Sequence, residues 1–222
     1  MKDRESLAEF LGTSLLLYVV VGSGIVVARG TSDSIVQLLA HSVMVGLGLA
    51  VLIALFSGVS GAHFNPVVTL AIWRRSAMDG PTASRYLLAQ VSGGLVGMSA
   101  AHLCFGTSWS IASNSRSGWG PIASEFIGTL VLVLLIVGLI NRAQGSWVPA
   151  AVGAWITVMI FSTASSGFLN PAVTIARMFT DTSTGISPGD AAAFVGAQFV
   201  GAVLAGPLAS RLFPGRPAMK GT

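Results

Sequence analysis

Two stretches of this chain place an Asn-Pro pair at the head of an apolar helical run. The first is Gly61-Ala62-His63-Phe64-Asn65-Pro66-Val67-Val68-Thr69-Leu70-Ala71 and the second is Gly167-Phe168-Leu169-Asn170-Pro171-Ala172-Val173-Thr174-Ile175-Ala176. Asn is a strong helix N-cap, and Pro suits the first helical position, where its missing N–H costs nothing. In isolation such a pair only starts a helix. Here both copies sit deep inside long charge-free segments. A helix that begins at membrane depth leaves N–H groups that must face protein or a water-filled cavity. Two such starts imply two half-helices meeting around a polar path.

The membrane setting follows from composition. Hydrophobic residues make up 53% of the chain, charged residues 9%, and mean hydropathy is +0.78. A soluble domain of this size seldom shows such a balance. The net charge of +4 comes with no basic stripe interleaved with aromatics, which argues against nucleic acid as a partner. The single cysteine, Cys104, excludes a disulfide framework and reads as a small buried hydrophobe.

Along the chain, the uncharged run from about Phe10 to Ala28 follows Lys2 and Arg4 and reads as a spanning helix rather than a cleaved signal. From Ser34 to Trp73 no residue carries a formal charge. That run is about twice the ~20 residues a span needs, yet it lacks a loop for two spans. One helix to about Phe56, a turn at Ser57-Gly58-Val59-Ser60-Gly61 and a re-entrant half-helix from Asn65 fit it. A third span covers about Thr82 to Phe105, with Gly93, Gly94, Gly97 and Ala100 allowing close backbone approach. Gly106 to Pro121 reads as an external loop. A fourth span ends near Asn141-Arg142, Ala143 to Ala176 again holds one helix plus a half-helix, and the last helix runs from about Pro188 to Leu212.

Three landmarks recur in order: Glu-Phe-(Leu/Ile)-Gly-Thr at Glu9 and Glu125, Asn-Pro-X-Val-Thr-(Leu/Ile)-Ala, and Ala-Gln-X-X-Gly at Gln90 and Gln198. The chain therefore reads as one channel domain built from two repeats, about 1–112 and 113–222. Each has three spans, an odd number, so the two sit inverted. With both termini in the cytoplasm, Lys2, Arg4, Arg74, Arg75, Arg85, Arg142, Arg211, Arg216 and Lys220 fall inside. Only Arg29, Arg116 and Arg177 then fall outside, as the positive-inside rule asks of a plasma (inner) membrane protein.

Inverted half-helices meet N-terminus to N-terminus at the midplane, each with a partial positive end. Asn65 and Asn170 cap them and still present amide donors. The non-helical backbone before each, Gly61, Ala62, His63 and Phe64 in one copy and Ser166, Phe168 and Leu169 with Gly167 in the other, presents carbonyl acceptors. Such a track suits water and small neutral hydroxylated solutes and opposes cations. Glu9 and Glu125, helped by Gln90 and Gln198, are expected to brace the half-helix loops rather than relay protons. His63 reads as a backbone-orienting residue, His41 and His102 as packing or interfacial residues, and Trp73, Trp109, Trp119 and Trp147 as interface anchors. No nucleophile–base pair, metal set or cofactor motif lies along the path, so an enzyme is not expected. The alternatives are a proton-coupled secondary transporter or a non-conducting structural membrane protein.

The paired Asn-Pro-Ala-type motifs, the two repeat Glu residues and Ser60-Gly61-Ala62-His63 resemble the aquaporin, or major intrinsic protein, family over essentially the whole chain. The resemblance implies an all-α fold of six spanning helices and two half-helices, a bilayer setting, and a homotetramer with one pore per subunit. Pro66, Val67, Pro171 and Ala172 complete the motifs, with Val67 replacing the usual Ala. The resemblance also implies an outer filter at Val45, Val158, Gly167 and Val173. The family's usual Arg is absent at Val173, so the filter is expected to be wide, apolar and uncharged. It resembles that of aquaglyceroporins, in particular the bacterial arsenic-resistance ones, with glycerol-type polyols and arsenious acid as the implied solutes. Arg177, four residues on and about 6 Å farther out, is expected to be a surface residue near Asp181. The alternative is that it reaches back toward the mouth.

Overall fold

A computed structural model describes residues 2–75 and 77–214; Arg216 and Lys220, assigned above to the inner face, lie outside these. The described residues are helical with no strands. The helices are α1 (Lys2–Gly30), α2 (Ser34–Ser60), α3 (Pro66–Arg74), α4 (Gly80–Phe105), α5 (Trp119–Asn141), α6 (Val148–Ser162), α7 (Pro171–Ala176) and α8 (Pro188–Leu212). Short 3₁₀ turns precede α6 and follow α7. Six of these, α1, α2, α4, α5, α6 with its preceding turn, and α8, are long and apolar enough to cross a bilayer. The two short ones, α3 and α7, start at the Asn-Pro pairs. The expected boundaries hold to within a few residues, except that α1 begins about two turns earlier than its uncharged core.

Helix ends follow local chemistry. Asp33 and Asp79 cap α2 and α4 through their side chains, and Gly61 and Gly106 end the same two helices in the left-handed conformation. Prolines at the first turns of α3, α4, α6, α7 and α8 sit where no donor is lost.

Packing pairs α1 with α4, α5 with α8, α2 with α6, and α1 with α2. The α1–α4 contact is close because a β-carbon on Gly97 would overlap the Ser14 carbonyl of α1. Small residues replace hydrophobic collapse as the packing device where the solvent is itself apolar. Leu, Val and Ile from α1, α2, α5 and α6 form the main apolar cluster, which takes in Val173 and Ala176 of α7 and Val68 of α3, while Val67 and Ala71 of α3 pack in a second cluster with α5 and α8. Leucines such as Leu47, Leu55, Leu88 and Leu103 are exposed on the rim, as lipid-facing side chains are. Cys104 is exposed as well, which corrects the buried reading: it sits at the edge of the α1–α4 contact, beside the Tyr18 side chain of α1. Trp73, Trp109, Trp119 and Trp147 are all exposed.

Candidate functional site

The loop before each half-helix is bent by left-handed residues at matching positions. Gly61, Ala62 and Phe64 have φ of 85°, 52° and 49°, and Ser166, Gly167 and Leu169 have 58°, 50° and 48°. Non-glycine residues pay for this conformation, so something must hold them there. A buried carboxylate does so in each copy. The Glu9 carboxylate accepts from the His63 and Phe64 N–H groups at 2.9 and 2.7 Å, from the Ser60 hydroxyl at 2.6 Å and from Gln90 at 2.8 Å. The Glu125 carboxylate accepts from Phe168 and Leu169 at 2.9 and 2.8 Å and from Gln198 at 2.6 Å. Both are fully buried. Convergent backbone N–H groups form an anion-holding nest, which compensates the carboxylate's desolvation.

The Glu-Phe-X-Gly-Thr landmark is explained by the same loops. A β-carbon on Gly12 would overlap the Phe64 ring, and one on Gly128 would overlap the Leu169 side chain. Glu holds the loop's N–H groups, and one turn later Gly leaves room for its side chain. Gln90 and Gln198 each bridge the carboxylate to a hydroxyl on the half-helix, Thr69 at 2.9 Å and Thr174 at 3.0 Å. His63 meets the same Thr69 hydroxyl at 3.0 Å and lies edge-on to Tyr86. Among the described residues no cluster of His, Cys, Asp and Glu has metal-ligand geometry.

The two half-helices meet through reciprocal bonds. Asn65 Nδ2 donates to the Leu169 carbonyl and Asn170 Nδ2 to the Phe64 carbonyl, both at 2.8 Å. Each Asn Oδ1 meanwhile accepts from its own helix, from Val67 for Asn65 and from Ala172 and Val173 for Asn170. An amide nitrogen carries two hydrogens, so each Asn caps its helix, ties the halves together and keeps one donor free. The Phe64 and Leu169 carbonyls, expected to serve the path, are thus engaged by the opposite Asn.

These residues border a cavity of about 480 Å³. It runs from Arg75, Ala77 and Gly145 at one end, past Asn65 and Asn170, to His41, Val173 and Arg177 at the other. Its apolar walls are stripes at four-residue spacing: His41, Val45, Leu49, Ile53 and Ser57 on α2, and Val148, Val152, Ile156 and Ile160 on α6. Gly61 to Phe64 and Gly167 to Leu169 supply its backbone surface. Ser166 lines a smaller adjoining cavity of about 130 Å³, together with Arg116, Arg177, Ser183 and Thr184.

Of the four expected filter positions, Val45, Gly167 and Val173 border the main cavity. Val158 does not: it is 50% exposed on the outer face of α6. A helix brings residues four apart onto one face and turns the residue midway between them to the opposite side, so Ile156 and Ile160 line the cavity where Val158 does not. That stripe was readable as an i, i+4 series of branched residues. His41, expected to pack or lie at an interface, lines both cavities, with its Nδ1 2.8 Å from the Ser23 hydroxyl.

The uncharged mouth is also corrected. Arg177 is only 4% exposed and lies in the cavity wall. Its Nε donates to the Thr184 carbonyl, and its guanidinium carbon stands 3.4 Å from the centre of the Phe168 ring. The surface reading fails because its supposed partner is occupied elsewhere. The Asp181 carboxylate accepts from the Ser113 N–H and hydroxyl, at 2.8 and 2.9 Å. Arg116, which was read only as an outer-loop charge, donates to the carbonyls of Gly185, Ser165 and Ser183 at 3.0 to 3.3 Å. It lies 5.1 Å from the centre of the same Phe168 ring. Burial among these carbonyls pushes the Arg116 guanidinium below its ordinary pKa.

A membrane bundle with two half-helices joined cap to cap inside a cavity that reaches both ends has the architecture of a channel. The sequence profile of the major intrinsic protein family matches residues 2–165 and, in a second overlapping match, 115–221. The chain is 39% identical over 221 residues to aquaglyceroporin AqpS of Rhizobium meliloti, covering 99% of this chain and 94% of that one. It is 28% identical over 189 residues to a glycerol uptake facilitator protein of Haemophilus influenzae, covering 74% and 70%. The fold superposes on the aquaglyceroporin of Plasmodium falciparum with a TM-score of 0.77 at 22% identity, over 96% of this chain and 98% of that one. This chain belongs to the major intrinsic protein family. It is a multi-pass membrane protein and a passive channel for small neutral solutes, not an enzyme.

Proposed function

We propose that the channel conducts glycerol-type polyols, arsenious acid and water along the cavity between Arg75 and Arg177. The observation that carries this reading is the pair of reciprocal Asn65 and Asn170 bonds inside that cavity. They leave one fixed donor per Asn inside the cavity, between apolar stripes. A solute with several hydroxyls can accept from these donors and give to loop carbonyls while its carbon face slides along Leu, Val and Ile. The names of the relatives, an aquaglyceroporin and a glycerol facilitator, point the same way. Arsenious acid is a neutral trihydroxy molecule and fits the same pattern. The filter is read as Val45, Ile156, Ile160, Gly167 and Val173, with Glu9, Glu125, Gln90 and Gln198 as braces. The matching bonds in the two halves support inverted repeats of about 1–112 and 113–222. The charge pattern supports cytoplasmic termini in a plasma membrane, and family membership supports a homotetramer.

The test is a stopped-flow comparison of water, glycerol, urea and arsenious acid in proteoliposomes, for the parent and for Val173→Arg. A guanidinium at position 173 adds bulk and donors to the mouth. The variant is expected to lower glycerol and arsenious acid permeability about tenfold or more while largely sparing water, as a rise of about 1.4 kcal/mol in the barrier would do. Unchanged large-solute flux in an assembled Val173→Arg protein would overturn the wide-filter reading.

A further inference from the structure

Neither cavity is lined by an Asp or Glu among the described residues. The lining cations are Arg75, Arg116 and Arg177. They differ in what their guanidinium groups have left to offer. Arg75 is exposed at the far end and donates to the Asn141 side chain at 2.6 Å. Arg116 gives Nε and both terminal nitrogens to loop carbonyls and the Ser166 hydroxyl, so it is a strut. Arg177 alone is buried in the wall of both cavities with only Nε donated to a protein carbonyl. Among the described residues its terminal nitrogens have no protein acceptor. Phe168 carries the flat of the guanidinium, and Phe194 meets that ring edge-on, with centres 5.3 Å apart. A desolvated cation on an aromatic face is held without using its hydrogens.

We propose that Arg177 is the specificity-determining cation of this channel. It stands in the mouth that Val173 leaves uncharged, with Phe168 as its platform. The proposal rests on the channel reading above and adds the site of charge discrimination to it. The sequence places this arginine four residues beyond Val173, at the start of the 3₁₀ turn that follows the half-helix, and both residues border the same cavity. A fixed positive charge in a low-dielectric mouth whose lining holds no carboxylate, with the nearby Glu125 committed to the Phe168 and Leu169 N–H groups, repels entering cations and leaves neutral solutes free to accept from its spare N–H groups.

The test compares uptake of methylammonium, a small cation at neutral pH, with glycerol flux in proteoliposomes. The parent is expected to pass glycerol and exclude methylammonium. Arg177→Gln removes the charge and is expected to raise methylammonium uptake at least about tenfold, given one unit charge removed within several Å of the path. Arg177→Lys restores a charge and is expected to restore exclusion. So is Val173→Arg added to Arg177→Gln, which returns a guanidinium to the mouth one turn away. Arg177→Met, which keeps an apolar stem on the Phe168 ring, gives the same comparison where Arg177→Gln fails to assemble. Continued methylammonium exclusion by Arg177→Gln or Arg177→Met vesicles that still pass glycerol would overturn the proposal and move discrimination to the midplane. Absence of glycerol flux from assembled parent protein would instead overturn the channel reading itself.

Discussion

Glu9 and Glu125 carry identical work in the two halves, and the chemistry of that work is specific to a carboxylate. Each has two acceptor oxygens facing backbone N–H groups whose left-handed neighbours would otherwise relax. Glu125→Gln replaces one acceptor by an NH₂ group that points at a donor. The expected cost is about 3–5 kcal/mol, the range for removing one member of a buried charge-assisted network. Thermal unfolding of the purified variant should fall steeply, with glycerol flux lost alongside. A variant of full stability whose flux had become independent of pH would speak for proton coupling instead. Residues of this kind were legible in the sequence because they recur: Glu, Gly and Gln each return at the matching place in the second copy. Arg177 was not legible. Its place depends on the Phe168 ring beneath it, set by how the loop into the half-helix is bent, and on Asp181 being taken by Ser113 from a distant segment, and neither has a local signature. Val158 was misplaced for a simpler reason: position counted from a motif ignores the rotation of α6.

At the scale of elements, charge-free length alone separated spans from half-helices, since a bilayer admits few other solutions. The segment between α4 and α5 was harder. Rich in Ser and Gly, it read only as an external loop, yet it is strapped across the end of α7. Ala112 N–H donates to the Met178 carbonyl at 2.9 Å, and Ser187 N–H donates to the Asn114 carbonyl at 2.8 Å. Ser113 closes on Asp181. These are side-chain and backbone bonds with no periodic signature, so no pattern announces them. The strap delivers Arg116 beneath the mouth. The Ser113 N–H and hydroxyl hold the Asp181 carboxyl below its ordinary pKa. With the folded value depressed, the contribution to stability is present above the unfolded pKa and fades as pH falls through the folded one. Asp181→Ala should therefore lower thermal stability at neutral pH, and the gap to the parent should close once the pH drops below the usual carboxylate range. A gap that stayed constant across that range would show that the charge on Asp181 is not what secures the strap.

For the whole molecule, the central question is whether both ends of the cavity communicate without any coupled step. The half-helices are tied cap to cap, braced by fully buried carboxylates and enclosed by apolar stripes on α2 and α6. Such an arrangement is rigid, and a rigid, continuous path carries solute down its gradient. A secondary transporter needs the opposite, two alternating states with the site closed to one side in each. The decisive measurement is glycerol movement in proteoliposomes holding the purified protein, with and without a pH gradient and a protonophore. Flux should rise linearly with the glycerol gradient, stop when the gradient vanishes, run equally in both directions and ignore the protonophore. Accumulation of glycerol against its gradient, driven by protons and abolished by the protonophore, would contradict the channel account.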